Sequence, residues 1–188
     1  PPVTPDEKID LFLKLFRCRD DVYPKRWKNS KGKQGYSPAC DLEWVKPTCQ
    51  KPVVKCSECP HQKFPKLDHL AADSHLRGLQ TIGTYAIRED DTCIFLASDF
   101  DGSTWKEDVM AYQQAGRELG LDIAIERSRS GDGAHAWLFF EEYVPARLAR
   151  TLGTLILAKC AEFNIRLSLD SYDRFFPSQD YLPRGGFG

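Results

Sequence analysis

Residues 92–102 read Thr92-Cys93-Ile94-Phe95-Leu96-Ala97-Ser98-Asp99-Phe100-Asp101-Gly102. The apolar and small residues from Cys93 to Ser98 predict a strand over Thr92–Phe100. It ends in two aspartates spaced two apart. In a strand such residues share a face, so both carboxylates point the same way with their oxygens close together. Like charges that close repel unless a cation lies between them, and a divalent metal is the usual one. Taken alone, the same residues also describe an Asp-Gly turn carrying two solvated acids. The pattern around them decides between the two.

Upstream, Thr81–Ile87 is strand-like. Downstream, Thr104-Trp105-Lys106-Glu107 is a capping box that opens a helix stopping at Gly120. Asp122–Arg127 and Ala134–Phe140 are strands separated by the turn-rich Ser128–Gly133, and Pro145 opens a long helix to about Phe163. Ile165–Asp170 is the last predicted strand. This order predicts an α+β sheet with helices packed on one face and the other face left for a ligand.

Two further stretches close neighbouring strands of this sheet. In Ser128-Arg129-Ser130-Gly131-Asp132-Gly133-Ala134-His135, Gly131 and Gly133 let the backbone approach an anion, and Arg129, Ser130 and His135 can donate to phosphate oxygens. A glycine-rich hairpin with an incidental histidine is the plainer description. In Leu169-Asp170-Ser171-Tyr172-Asp173-Arg174, one or two more acids and an arginine follow the final strand, and a third carboxylate would complete a two-metal site. If Ile165, Leu167 and Leu169 face the helices, Asp170 falls on the same face as Asp99 and Asp101, while Asp173 lies beyond the strand, where it can pair with Arg174.

The N-terminal part is built differently. Thr4-Pro5-Asp6-Glu7 is a capping box opening a short amphipathic helix to about Phe16, residues 1–16. Residues 17–66 then show no sustained periodicity and hold Pro24, Pro38, Pro47, Pro52 and Pro60 among their prolines. Something other than a core must hold this segment. Four of the seven cysteines cluster within twenty residues of it, Cys40, Cys49, Cys56 and Cys59. Four thiolates ending in a Cys-x-x-Cys knuckle predict a structural Zn²⁺ site, with His61 as reserve ligand. The catalytic core is then expected over 67–188.

Charge is uneven along the chain. The net charge is only -1, yet Lys14–Lys33 carries eight basic residues against Asp20 and Asp21, and Lys46–Lys66 carries five lysines against Glu58. Trp27, Tyr36 and Trp44 interleave with them, a mixture suited to phosphate neutralisation and base stacking. Arg17, Arg19, Lys25 and Arg26 are the candidate nucleic-acid contacts. The hydrophobic fraction of 41% supplies a full core, and neither a signal peptide nor an apolar run of about 20 residues occurs, so a soluble, intracellular, non-membrane protein is expected.

With these motifs in hand, the sequence resembles the archaeo-eukaryotic primase superfamily, which carries Asp-x-Asp, a Ser-x-His-type element and an apolar residue followed by Asp, in that order. Here those are Asp99-Phe100-Asp101, Ser130 to His135, and Leu169-Asp170. More narrowly, LFRCRDDVYPKRW (15–27), GYSPACDLEW (35–44), KCSECP (55–60), LASDFDG (96–102), ERSRSGDGAHAW (126–137) and LDSYDRFFPSQD (169–180) resemble the primase domain of TOTE conflict systems, predicted anti-mobile-element operons of prokaryotes. Cys18 stands where similar sequences lead one to expect glycine, and Gly185–Gly188 looks like a cut within a longer protein.

The resemblance implies an RNA-recognition-motif-like catalytic sheet, a divalent-metal site and template-directed nucleotide addition in a prokaryotic cytoplasm. The expected partners are a nucleic-acid template, DNA above all, nucleoside triphosphates, and helicase or nuclease domains of the same longer protein or operon. On this reading Asp99, Asp101 and Asp170 bind Mg²⁺ or Mn²⁺. Arg129, Ser130, Gly131, Gly133 and His135 hold the triphosphate, and Arg174 adds a charge. A metal-dependent nuclease and a non-catalytic zinc DNA-binding module are the alternatives.

Overall fold

Thr4 caps the first helix, α1 (Pro5–Leu15), in a complete capping box. Its hydroxyl accepts from Glu7 N, and the Glu7 carboxylate accepts from Val3 N at 2.7 Å and Thr4 N at 2.9 Å. These bonds occupy amides that a bare helix end leaves unpaired, and they hold the Glu7 carboxyl below its ordinary range. Helix α2 (His69–Leu76), capped by Asp68 through Ala71 N, packs on α1 with the Phe12 and His75 rings 5.5 Å apart. The computed structural model describes residues 1–163 and 169–188. They form two units, Pro1–Arg88 with Leu182–Gly188, and Glu89–Tyr181.

The first unit has more regular structure than its sequence suggests. Strands β1 (Pro24–Lys28) and β2 (Gln34–Pro38) form a hairpin in register from Pro24↔Pro38 to Lys28↔Gln34. Asn29 closes its loop by accepting from Lys31 N at 3.0 Å and Lys33 N at 2.9 Å. Each strand is five residues long and largely polar, so no alternation marks it in the sequence. Conversely, the strand expected over Thr81–Ile87 is not one. A single bridge joins Lys25 to Ile82, flanked by Arg26 N donating to Thr81 O and Gly83 N to Pro24 O, each at 2.9 Å. Pro24 has no amide with which to carry the ladder further.

Tyr23, Ala39, Leu67 and Ile82 make a small buried cluster, with Leu13 and Ala71 against it. Leu67, α2 and Ile82 therefore belong to this unit, whose first segment runs to Arg88. The chain returns to it at its end, where Phe187 stacks on Tyr85 at 5.3 Å and meets Phe64 edge-on at 5.4 Å.

The second unit runs β3 (Thr92–Asp101), α3 (Trp105–Glu118), β4 (Ala124–Arg127), β5 (Gly133–Pro145), α4 (Ala146–Phe163) and β6 (Tyr172–Phe176). This is a βαββαβ order, and the antiparallel sheet reads β4-β5-β3-β6. No residue from Cys93 to Ser98 is more than 3% exposed. Burial on both faces of this inner strand explains why its apolar run is continuous rather than alternating. Helices α3 and α4 pack on each other and on β3 and β5. Ser98 Oγ donates to Tyr112 Oη at 3.0 Å, and the Tyr112 and Phe100 rings lie 5.4 Å apart. Gly153 brings α4 close, since a Cβ there would stand 2.8 Å from the Phe175 ring and 3.1 Å from Leu96. Among the described residues no helix is long and apolar enough to cross a membrane.

Two details depart from the sequence reading. Thr104 does not form a capping box with Glu107; its hydroxyl donates instead to Asp108 Oδ2 at 2.8 Å. The last described strand is Tyr172–Phe176, and of the strand expected over Ile165–Asp170 only Leu169 and Asp170 are described. Residues 165–168 of that expectation lie outside the described residues. Leu169 has φ +53 and accepts from Tyr172 N at 3.0 Å, so Leu169 and Asp170 belong to a turn leading into β6.

That turn is anchored from α3. Asp108, 1% exposed, accepts from Ser171 Oγ at 2.6 Å, Ser171 N at 3.3 Å and Thr104 Oγ1, three donors on one buried oxygen. Replacing Asp108 with alanine strands these donors. Hydrogen bonds to a charged group contribute ~1.5–3 kcal/mol, so Asp108→Ala should lose about that much stability. Urea denaturation should show a lower midpoint at unchanged slope, and a wild-type midpoint would remove Asp108 from the fold's support.

Candidate active site

The strand register lays one row of side chains across the sheet. Glu126 on β4 faces His135 on β5, His135 faces Asp99 on β3, and Asp99 faces Arg174 on β6. Residues directly opposed in antiparallel strands share a face. Ser98 and Phe100 point to α3, so this row projects from the other side of the sheet.

His135 Nε2 lies 3.6 Å from Asp99 Oδ1, and its Nδ1 lies 3.3 Å from Glu126 Oε2. The same Glu126 oxygen accepts from Trp137 Nε1 at 2.9 Å. One carboxylate thus orients both an imidazole and an indole. Trp137 in turn stacks on Phe139 at 5.8 Å and meets Phe95 edge-on, forming an aromatic floor beside the charged row.

Burial pushes the Asp99 carboxyl above its ordinary range. The Asp101 charge pushes the same way, as does Asp173 more weakly, while His135 and Arg174 oppose them. Asp101 lies over Gly133, where a Cβ would stand 2.3 Å from Asp101 Oδ1 and 2.6 Å from the Phe100 carbonyl oxygen. Any side chain at residue 133 would displace that carboxylate. Asp101 N donates to Ser171 O at 2.7 Å, which holds the turn containing Asp170 beside the pair. Asp173 is the extra residue of a β-bulge: Asp99 faces Arg174 and Phe100 faces Tyr172, with Asp173 between. Its carboxylate accepts from Arg174 Nε at 2.6 Å.

The Ser128–Gly133 loop is held by its own bonds. Arg127 donates to Gly131 O at 3.0 and 2.9 Å, the Ser128 and Ser130 hydroxyls lie 3.0 Å apart, and Asp132 N donates to Ser130 Oγ at 3.3 Å. Arg129 and Ser130 are exposed.

The candidate nucleic-acid contacts separate. Arg17 is exposed, and Lys25 and Arg26 are half-buried on β1, where Arg26 donates to Gln34. Arg19 is buried and forked onto Asp21, with Nε 2.8 Å from Oδ1 and a second contact from Nη2 to Oδ2. That guanidinium holds the Asp21 carboxyl below its ordinary range. Arg19 is therefore committed to an internal ion pair.

Cys40, Cys49, Cys56 and Cys59 are half-buried and line one small cavity of about 30 Å³ together with His61. His61 N donates to Cys59 Sγ at 3.4 Å, and backbone hydrogen bonds at Lys51 and Trp44 hold the Cys49 thiol below its ordinary value. Among the described residues, however, no group of three or more His, Cys, Asp or Glu side chains converges closely enough to hold a metal ion. No zinc-binding module is therefore evident, and the aspartates do not form a ready-made cluster. Cys18, Cys93 and Cys160 are buried.

Sequence reasoning missed Glu126 and Asp108. Only the β4–β5 register turns Glu126 toward His135, and only the turn before β6 gives Asp108 its partners.

A βαββαβ sheet whose central strand ends in paired aspartates, with a histidine on the neighbouring strand, is the arrangement that the resemblance implied. The chain belongs to the archaeo-eukaryotic primase domain family of TOTE conflict systems, whose family model matches residues 7–188. No curated protein matches the sequence significantly.

The raised Asp99 pKa gives a signed expectation. An acid whose folded pKa lies above its unfolded one contributes stability below the unfolded value and loses it as pH rises through the folded value. Asp99→Asn should therefore raise the melting temperature at neutral pH in buffer without added Mg²⁺ or Mn²⁺, and the gap should close as pH falls through the carboxylate range. A lower melting temperature at neutral pH would mean that ionised Asp99 is a net support of the fold.

Proposed function

We propose that this domain catalyses template-directed nucleotidyl transfer at the end of β3, using nucleoside triphosphates and a nucleic-acid template, DNA above all. The observation that carries the reading is the half-buried, charge-strained Asp99 beside Asp101 and His135, in a chain of the primase family. In the reaction a 3′-oxygen attacks the α-phosphorus, and the bond to pyrophosphate breaks.

The donor set suits Mg²⁺ or Mn²⁺: oxygen ligands from Asp99 and Asp101, whose mutual repulsion a cation relieves, with Asp170 as third carboxylate. A bound divalent cation supplies positive charge against the negative charge that develops on the transferring phosphoryl group. The chain's own part is positioning. His135, set by Glu126, presents its ring at the Asp99 end of the row, where it can donate to a triphosphate oxygen. The exposed Ser130 and Arg129 add donors from the loop, and the bare Cα of Gly133 keeps Asp101 in place. Asp170 rather than Asp173 is the proposed third ligand, because Asp173 is bonded to Arg174 while Ser171 holds the Asp170 turn against Asp101.

Purified protein incubated with primed template, labelled deoxynucleotides and Mn²⁺ is expected to extend the primer. Asp170→Asn should abolish extension, whereas Asp173→Asn should retain measurable activity. His135→Ala should weaken nucleotide use by about 10- to 100-fold, the loss expected for a charged contact to phosphate. Degradation of the strand without extension would replace transfer with a nuclease reaction, and the reverse ranking of the two aspartates would exchange their roles.

The same reading extends to the cysteines. The four thiols share one cavity, and the segment around them offers few apolar residues for a core, so Zn²⁺ bound by Cys40, Cys49, Cys56 and Cys59 would supply that segment's cohesion. Elemental analysis should find about one zinc per chain, as a single four-ligand site requires. Cys56→Ser should lower that content and make residues 17–66 protease-sensitive. Zinc-free protein with a protease-resistant segment would contradict the assignment.

A further inference from the structure

A second cavity in the first unit, about 590 Å³, lies between the β1–β2 hairpin and the Lys51–Cys56 segment. That falls within the ~300–1,000 Å³ of small-molecule sites. Its walls include two indoles, those of Trp27 and Trp44, together with Pro52, and three lysines, Lys28, Lys51 and Lys55. The indoles are 37% and 60% exposed, although large aromatic side chains usually bury most of their surface. Both are held in place. The Trp27 ring lies across Gly35, where a Cβ would stand 2.9 Å from it. Trp44 has φ +64, in the left-handed region that favours glycine and that a bulky residue adopts only under constraint. A fold that keeps an exposed tryptophan in such a backbone conformation has a use for the ring.

The charges agree with one kind of ligand. Glu43, the carboxylate on this wall, is already bonded to Lys51 Nζ at 2.7 Å, and that ammonium also stands 5.8 Å from the Trp44 ring centre. Three lysines against one glutamate leave the wall net positive. An acidic peptide would use the lysines and leave the indoles bare. A duplex keeps its bases stacked inside. A single strand offers both a free base face for an indole and phosphates for lysines.

We propose that this cavity takes an unpaired nucleobase of a single-stranded nucleic acid, stacked on Trp44 and Trp27, with the neighbouring phosphates at Lys28 and Lys55. The proposal rests on the template-directed reading above and names where the single strand is held.

The test uses the full chain and two labelled oligonucleotides of equal length, oligo-dT and an abasic strand, followed by fluorescence anisotropy. Trp44→Gly is the informative variant, because glycine suits φ +64 and removes the ring without straining the backbone. It should melt at or above the wild-type temperature, yet bind oligo-dT about 5- to 150-fold more weakly, the range that one lost base stack produces. Abasic binding should be unchanged, and Trp44→Phe should keep part of the oligo-dT affinity. Equal oligo-dT binding by wild type and Trp44→Gly, or wild-type protein that does not distinguish oligo-dT from the abasic strand, overturns the proposal. Primer extension separates the two ideas. A protein that discriminates between the strands but never extends keeps the base pocket and loses the transfer reading, whereas extension without discrimination removes the pocket alone.

Discussion

From Phe95↔Phe139 to Asp101↔Gly133 the β3–β5 ladder runs in unbroken register. Because side chains alternate in a strand, this ladder sets His135 on the face of Asp99 and sends Ser98 and Phe100 to the helices. A slip of one residue would exchange the two sets, burying carboxylates against α3 and exposing the core. The core residues Ile94, Leu96 and Phe100 thus enforce the position of acids they do not touch. Gly133 closes the same ladder, and the Asp101 carboxylate occupies the space its missing side chain leaves.

A second layer of support comes from outside the central pair. Asp108 ties the turn before β6 to α3, and the Asp101 amide ties it to β3, so the chain between Leu169 and Asp173 is fixed from two elements. The bulge then brings Asp173 and Arg174 together opposite Asp99. Each additional acid raises the electrostatic load on Asp99, and His135 and Arg174 oppose it. Such a balance of like charges costs stability in a protein without a cation to bind, which is the usual sign that charge there serves chemistry rather than the fold.

Much of this was legible before any coordinates. The β3 sequence declared a strand, and Asp99, Asp101 and His135 fall on neighbouring strands as their motifs implied. The first helix and the end of α3 at Gly120 follow from local capping chemistry. What the sequence concealed depended on register. Tyr172–Phe176 is poorly patterned because the bulge at Asp173 breaks its alternation. Glu126 sits in a strand of four residues, too short to show which way it faces, and the polar hairpin of the first unit carries no hydrophobic period at all. Arg19 shows a further limit: local charge counts it with the basic surface, while burial and Asp21 take it inside.

The central claim is that the end of β3 binds a divalent cation together with a nucleoside triphosphate. Crystals grown with Mn²⁺ and a non-hydrolysable nucleotide would locate both, because manganese scatters anomalously. The account requires an anomalous peak between the Asp99 and Asp101 carboxylates, with the triphosphate against His135 and the Ser128–Gly133 loop. Manganese and nucleotide bound elsewhere, with the two aspartates free of metal, would contradict it.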